Sequence, residues 1–272
     1  MQGGGNAVLL LHGLYGDPLQ MHYLGRKLHR SGYSVRIPHI RGCSAFDTRF
    51  PRQTTRWELW LEQVKAHFEV LKRDHAQVSV VGLCTGANLA LALALERSAD
   101  IHTLCLYSTT LYYDGWNVTQ LRFLRALAYY TPLRYLLSYP ERAPYGLKDE
   151  RIRRWIEAQM KKGGVTATGA SRSPMTGVYQ AERMMRYLRR NLHRVSAPAL
   201  ILHAKEDDTA STRSADLVES NVSSAIVRKV ILHNSYHIVT MDNDKDRVFA
   251  ETLTFIAQQA AQQPAAANLK IS

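Results

Sequence analysis

In Val78-Ser-Val-Val-Gly82-Leu83-Cys84-Thr85-Gly86-Ala87, a cysteine stands midway between two glycines, where an apolar run gives way to an Ala/Leu-rich stretch. Strand, G-x-C-x-G, then helix is the pattern of a nucleophile elbow. The central residue occupies a tight, strained turn, and a side chain at either flanking glycine would collide with neighbouring backbone. Cys84 would then stand at the top of a sheet. Free N–H groups and the positive end of the dipole at the helix start would lower its pKa and favour the thiolate. The chemistry open to such a thiolate is nucleophilic attack, which a base beside the sulfur assists. Of the eleven histidines, His237 lies in a loop between the last strand and the last helix, after Asn234-Ser235 and before Thr240 and Asp242. His203 and His233 fall in strand ends, where packing explains them better. His237 would take the Cys84 proton, or hold it as an imidazolium beside a thiolate. A carboxylate to orient that ring is offered by Glu206-Asp207-Asp208, just past an apolar run where a side chain can reach the top of a sheet. The other two cysteines lack these contexts: Cys105 is inside an apolar strand pattern and Cys43 follows Arg41-Gly42, so both read as packing thiols.

The elements that must hold these groups follow from periodicity. Asn6–His12 is a continuous apolar run, the pattern of a strand buried on both faces, and a turn over 13–17 follows it. Pro18–Arg30 is helical in period and Tyr33–Ile37 is a second strand closed by Pro38, which makes a β-α-β unit. The alternation continues with a helix near Trp57–Leu71, a strand Gln77–Val81, a helix Ala87–Glu96 and a strand Ile101–Tyr107. It resumes with strand Ala199–His203, helix Thr212–Glu219, strand Ala225–Leu232 and helix Arg247–Gln259. Two blocks of βα alternation flanking a middle segment predict an α/β fold, a doubly wound and mostly parallel sheet carrying an insertion. The expected division is a core of 1–111 and 195–260, a helical cap over 112–194, and a disordered tail over 261–272 rich in Gln and Ala. The cap is expected to hold helices at Thr119–Tyr130, Asp149–Met160 and Gly177–Asn191.

Three segments together resemble the α/β-hydrolase family across nearly the whole chain: Leu9-Leu-Leu-His12-Gly13-Leu14-Tyr15-Gly16, Gly82-Leu-Cys84-Thr85-Gly86, and Asp207-Asp208 with Asn234-Ser-Tyr-His237-Ile238-Val-Thr-Met-Asp242. Their order, nucleophile, acid, histidine, is the order of that fold. The chain is most similar to the small bacterial carboxylesterase and monoglyceride-lipase-like members. It carries cysteine where the family usually has serine, as its dienelactone-hydrolase and polyhydroxyalkanoate-synthase branches do. The resemblance implies a catalytic triad of Cys84, His237 and Asp207, with Asp208 as the alternate acid. It further implies an oxyanion hole formed by the N–H groups of Leu14 and Thr85, and a cap inserted after the sixth family strand. No cofactor is implied.

Composition narrows the function classes. The chain has 272 residues, 46% hydrophobic and 21% charged, enough for a real core, which excludes global disorder. No run approaches the roughly 18 uncharged residues of a membrane span, and the opening Met1-Gln2-Gly3-Gly4-Gly5-Asn6 lacks a secretory signal's features, so a cytoplasmic protein is expected. Three separated cysteines without CxxC spacing argue against a disulfide framework, and no HExxH or phosphate-cradling glycine motif suggests a metal or nucleotide. The net charge of +12 is local: residues 111–194 hold sixteen Lys and Arg against six acids, ten of the twelve excess charges. That concentration could draw an anionic substrate or an acidic acyl carrier protein as readily as it could be a solvated face, and it makes nucleic acid an unfavoured partner. The leading expectation is hydrolysis of an acyl ester or thioester through an acyl-cysteine. The rivals are acyl transfer from an acyl-CoA or carrier-protein donor and, behind it, a non-catalytic binding module.

Overall fold

A computed structural model describes residues 5–45, 47, 55–118, 129–161, 165–166 and 168–268 of the chain. Six parallel strands form the central sheet: β1 (Asn6–Leu11), β2 (Ser34–Arg36), β3 (Gln77–Leu83), β4 (Leu104–Tyr107), β9 (Ala199–Ala204) and β10 (Val227–Leu232). Their spatial order is β10-β9-β4-β3-β1-β2. Parallel neighbours need crossovers, and the helices supply them: α1 (His22–Arg30), α2 (Trp57–Asp74), α3 (Thr85–Arg97), α6 (Arg213–Asn221) and the closing α7 (Lys245–Asn268). The parallel, doubly wound sheet agrees with the expectation from the sequence.

Period-two alternation divides the core between the two faces. On β1, Ala7, Leu9 and Leu11 pack with Trp60, Phe68 and the α3 leucines, whereas Val8 and Leu10 pack with Met21 just before α1, Leu24 of α1 and Phe255 of α7. Helix α3 is buried from Thr85 through Leu95, which is why its sequence is small and apolar all round and shows no polar stripe. In register, Leu11 lies beside Gly82 and Gly82 beside Leu106, so the strand ends that carry the three motifs finish together along one edge of the sheet.

Between β4 and β9 the chain holds β5 (Ser138–Pro140), α4 (Glu150–Lys161), β6 (Val165–Thr166), β7 (Gly169–Ala170), β8 (Arg172–Pro174) and α5 (Met175–Asn191). Two of the three helices expected there are α4 and α5; the third, at Thr119–Tyr130, lies outside the described residues but for helical Tyr129 and Tyr130. The segment also carries strand pairs where only helices were expected: β5 runs antiparallel to β8, and β6 to β7. Strands of two or three residues have no period of their own. They exist only as pairs, and Glu141 N–H donates to Ser171 O at 3.0 Å to extend the β5–β8 ribbon by one step. The end of the chain also differs from the sequence reading, since α7 continues through the supposed tail to Asn268; alanine's high helix propensity favours this extension.

Candidate active site

The elbow begins with a backbone that only a constrained turn would accept. Cys84 has φ 55° and ψ −116°, a left-handed conformation that costs a residue with a side chain on the order of 1–3 kcal/mol. The surrounding bonds over-determine it: Cys84 N–H donates to Tyr107 O at 2.9 Å, and Asn88 N–H donates to Cys84 O at 3.1 Å. A side chain at Gly82 would run into the Gly86 carbonyl, and one at Gly86 would run into the carbonyls of Leu11 and His12. The two glycines are therefore what lets β3 turn into α3 against β1. Cys84 stands as the residue before the first turn of α3, with its sulfur 3.5 Å from the Thr110 hydroxyl, which donates to it.

Across the site, the loop after β10 brings His237 against the loop after β9. His237 Nδ1 lies 2.9 Å from Asp207 Oδ1 and 2.8 Å from Asp207 Oδ2. The carboxylate is itself fixed, because Oδ1 accepts the Thr209 and Ala210 N–H groups at 2.8 Å each. His203, fully buried below it, places Nε2 3.5 Å from Asp207 Oδ2 and donates to Ala210 O at 2.9 Å. Asp208 does not bond to the ring: its Oδ2 accepts Gly146 N–H at 3.1 Å, and its Oδ1 has no hydrogen-bond partner among the described residues. Nε2 of His237 likewise has none.

These contacts set the charges. Burial is the strongest influence on His237 and pushes it down. The Asp207 carboxylate and the Cys84 sulfur outweigh it, and the ring is held well above its ordinary range. For Cys84 burial pushes up, but the imidazolium, the Thr110 hydroxyl and the Thr85 hydroxyl together bring the thiol below its ordinary value. Asp207 follows the same logic and is lowered against its burial by His237. Cys84 is thus biased towards thiolate and His237 towards imidazolium, with the Asp207 carboxylate on the far nitrogen of the ring. The remaining thiols are the opposite case: burial raises Cys43 and pushes Cys105 up to about 12, so neither is ionised at neutral pH.

On the other side of Cys84 lies the loop after β1. His12 Nδ1–H donates to Gly13 O at 2.8 Å while its Nε2 accepts Ile40 N–H at 3.3 Å, a neutral ring whose pKa burial lowers. Gly13 N–H is taken by Gln20 Oε1 at 3.0 Å, and Tyr15 N–H by Cys43 O at 2.6 Å. Between them Leu14 N–H bonds to no other described group, and neither does Thr85 N–H, which as the first residue of α3 has no partner within the helix. Gln20 carries no signal in the sequence, yet its Nε2 also donates to Thr168 O at 2.8 Å, and Ala170 N–H donates to Tyr15 O at 3.1 Å. The loop after β1 is thereby tied to the segment between β6 and β8.

A cavity of about 180 Å³ opens over Cys84 and His237. Met160, Met175, Val178 and Ile238 give it an apolar wall, and Glu141 and Asp208 a polar one. Burial raises both carboxyls, Asp208 to about 6, with Asp207 adding to the upward push there. Glu141 keeps one oxygen on the Ser173 hydroxyl at 2.8 Å. It is a second site residue with no signature in the sequence. No group of three or more His, Cys, Asp or Glu side chains among the described residues is placed to hold a metal ion. No helix there is long and apolar enough to cross a membrane.

Comparison with known proteins groups the chain with hydrolases. A family model described as "Serine aminopeptidase, S33" matches residues 5–244. The thermostable monoacylglycerol lipase of Bacillus sp. (strain H-257) is 26% identical over 262 residues, covering 95% of this chain and 93% of that protein. The carboxylesterase of Bacillus subtilis (strain 168) is 23% identical over 264 residues, covering 94% of each. Among solved structures, one from work on the metagenome-derived lipolytic enzymes LipS and LipT superposes with a TM-score of 0.79 at 22% identity, over 94% of this chain and 95% of that one. The monoacylglycerol lipase of Paleococcus ferrophilus superposes with a TM-score of 0.74 at 15% identity, over 93% of this chain and 94% of that one.

Proposed function

The chain belongs to the α/β-hydrolase family described as serine aminopeptidase S33, and from that membership we infer that it hydrolyses carboxylic acyl esters by way of an acyl-cysteine. The observation that carries this reading is the strained Cys84, lowered towards thiolate, next to a raised His237 whose other nitrogen is held by Asp207. Its two lipolytic and esterolytic relatives, aligned over nearly their whole length, support the ester as substrate.

The Cys84 thiolate adds to the ester carbonyl, and the oxygen that gains charge is met by the Leu14 and Thr85 N–H groups, which have no competing partner among the described residues. As the tetrahedral adduct collapses, His237 Nε2–H passes its proton to the departing alkoxide, and a thioester and an alcohol are formed. Water then enters, the now neutral His237 takes its proton, and the hydroxide oxygen attacks the thioester. Collapse releases the acid and restores the thiolate and imidazolium. Asp207 remains ionised throughout, keeps the proton on Nδ1 and balances the ring's charge. The apolar wall of Met160, Met175 and Val178 takes the acyl chain, and residues 112–194 act as a cap over a core of 1–111 and 195–260.

Transfer of the acyl group to an alcohol, amine or thiol is a second reading, favoured by the thioester that a cysteine nucleophile forms. The basic excess of residues 111–194 is what would draw an acyl-CoA or carrier-protein donor. Turnover of p-nitrophenyl esters and acyl-CoAs of matched chain length, with and without an acceptor alcohol, separates the two: hydrolysis yields free acid whether or not the acceptor is present. Full ester turnover in Cys84→Ala would refute both.

A further inference from the structure

His237 stands within residues 233–244, a stretch that is neither helix nor strand, so no ladder fixes it and its place depends on individual bonds. Both flanking amides are held. Tyr236 N–H donates to Asp242 Oδ2 at 2.7 Å, and Ile238 N–H donates to Gly146 O at 2.8 Å. Gly146 belongs to the segment between β4 and β9, and Asp242 binds that segment as well. Its Oδ2 also accepts Lys148 N–H and its Oδ1 accepts Asp149 N–H, each at 2.8 Å. Asn243 N–H supplies a fourth bond, to Oδ1 at 2.9 Å. We propose that Asp242 is a positioning residue for His237: its fully buried carboxylate clamps residues 148 and 149 onto the histidine loop, and the clamp aims the imidazole at Cys84.

The contact with Asp207 fixes His237 Nδ1 but leaves the ring able to swing about it, so the backbone of the loop decides where Nε2 points. Bonds inside a loop set its shape. Bonds from another element set where it stands over Cys84, and residues 146–149 supply them. Gly146, at φ 71°, packs so closely that an added Cβ would lie 3.3 Å from His237 Cβ and 2.9 Å from Ile238 Cγ1. Its N–H donates to Asp208 Oδ2 at 3.1 Å, and Lys148 Nζ donates to Glu206 Oε2 at 2.5 Å, so the same short stretch grips both neighbours of Asp207. Lys148 Nζ also lies 5.6 Å from the centre of the Tyr236 ring. Asp149 then starts α4, its Oδ1 accepting Arg151 N–H at 2.9 Å and Ile152 N–H at 3.1 Å, which anchors the clamp to a helix. Bonds from backbone N–H to a carboxylate are about twice as strong as neutral ones, and Asp242 gathers them from both sides of the clamp. What the aiming serves rests on the acyl-cysteine reading; the clamp itself does not.

Asp242→Asn in the full chain tests it, because an amide oxygen can accept from one pair of these donors while its NH2 group faces the other pair. For a short p-nitrophenyl ester kcat should fall about 10²-fold, the cost of a reacting group displaced by about 1 Å, with KM little changed. Alkylation of Cys84 by iodoacetamide should lose its acid-side plateau and slow about tenfold per pH unit, as for a thiol without its imidazolium. The Tyr236 and Ile238 amides should exchange hydrogen at least about tenfold faster by NMR. Phe68→Leu is the control for stability alone: Phe68 is fully buried in α2, and its loss should lower the melting temperature while leaving kcat and the alkylation profile as they were. Should Asp242→Asn fail to fold, Gly146→Ala decides, since its Cβ wedges the loop from the same side with Asp242 intact and should bring the same loss of the alkylation plateau. An unchanged kcat and alkylation profile in a folded Asp242→Asn, or an unchanged profile in Gly146→Ala, would overturn the proposal. An unsubstituted chain whose Cys84 titrates as an ordinary thiol refutes the acyl-cysteine reading instead, and amide exchange then reads the clamp by itself: protection of residues 236 and 238 that survives Asp242→Asn would overturn it.

Discussion

Replacing Gln20 by alanine should slow catalysis although Gln20 touches no reacting atom. Its Oε1 holds Gly13 N–H at 3.0 Å and its Nε2 holds Thr168 O at 2.8 Å, both in buried or nearly buried surroundings. Alanine leaves the Gly13 donor and the Thr168 acceptor without partners, and an unmet buried group costs about 1–3 kcal/mol. With some relaxation and water entry, the loss of stability should be about 2–4 kcal/mol, or about 4–12 °C in melting temperature for a chain of this size. The second consequence follows from position. Gly13 precedes Leu14, whose N–H in the proposed mechanism meets the developing oxyanion, and Gln20 pins that loop from both sides. Complete loss of such a donor costs on the order of 10²–10³ in kcat; a loosened one should cost about tenfold, with KM for a short p-nitrophenyl ester little changed. Gln20→Glu separates the two bonds, since the carboxylate still accepts from Gly13 but cannot donate to Thr168. It should keep more of kcat than Gln20→Ala while losing part of the stability. A kcat within twofold of the unsubstituted chain in Gln20→Ala, alongside the lowered melting temperature, would show that Gln20 supports the fold and has no part in the oxyanion geometry.

Asp207→Asn should lower kcat by on the order of 10⁴, because the amide cannot hold the proton on His237 Nδ1 in the required tautomer. Asp208→Asn should leave most of kcat but stabilise the fold. The Asp208 carboxyl sits at about 6 in the folded chain and near 3.8 as its ordinary value, so the folded state resists its ionisation. The penalty is small below pH 4, grows between about pH 4 and 6, and levels off above 6 at about 3 kcal/mol; chemical denaturation at pH 4 and pH 8 reads it. Iodoacetamide should label Cys84 ahead of Cys43 and Cys105, and its rate at Cys84 should hold on the acid side, where an ordinary thiol slows about tenfold per pH unit. Activity should fall at low pH as the thiolate is protonated and at high pH as His237 is deprotonated. Cys84 labelling that tracks an ordinary thiol titration would contradict the ion pair.

The parts legible in the sequence are those whose meaning is local. Gly82 and Gly86 are demanded by one turn, and strand and helix patterns adjoin them, so Cys84 is found without knowing its neighbours. His237 is found as the loop histidine between the last strand and the last helix, and Asp207 among three acids just past a strand pattern; the family resemblance puts Asp207 before Asp208, and in the structure it is Asp207 that contacts the ring, at 2.8 Å. Gln20 and Glu141 are illegible because their partners lie far along the chain: Gln20 acts with Thr168, and Glu141 with Ser173. The β5 and β8 ribbon escapes for the same reason. Its three-residue strands exist through pairing with each other and have too few residues to show a period.

The central claim, that the acyl group passes through Cys84, is tested most directly by intact-mass and peptide-mass analysis after rapid acid quenching during turnover of a p-nitrophenyl ester. A thioester adduct of the acyl mass on the peptide containing Cys84, accumulating in a burst and absent in Cys84→Ala, is the predicted result. A hydrolytically active chain whose Cys84 peptide is never acylated, or whose adduct maps to another residue, would contradict it.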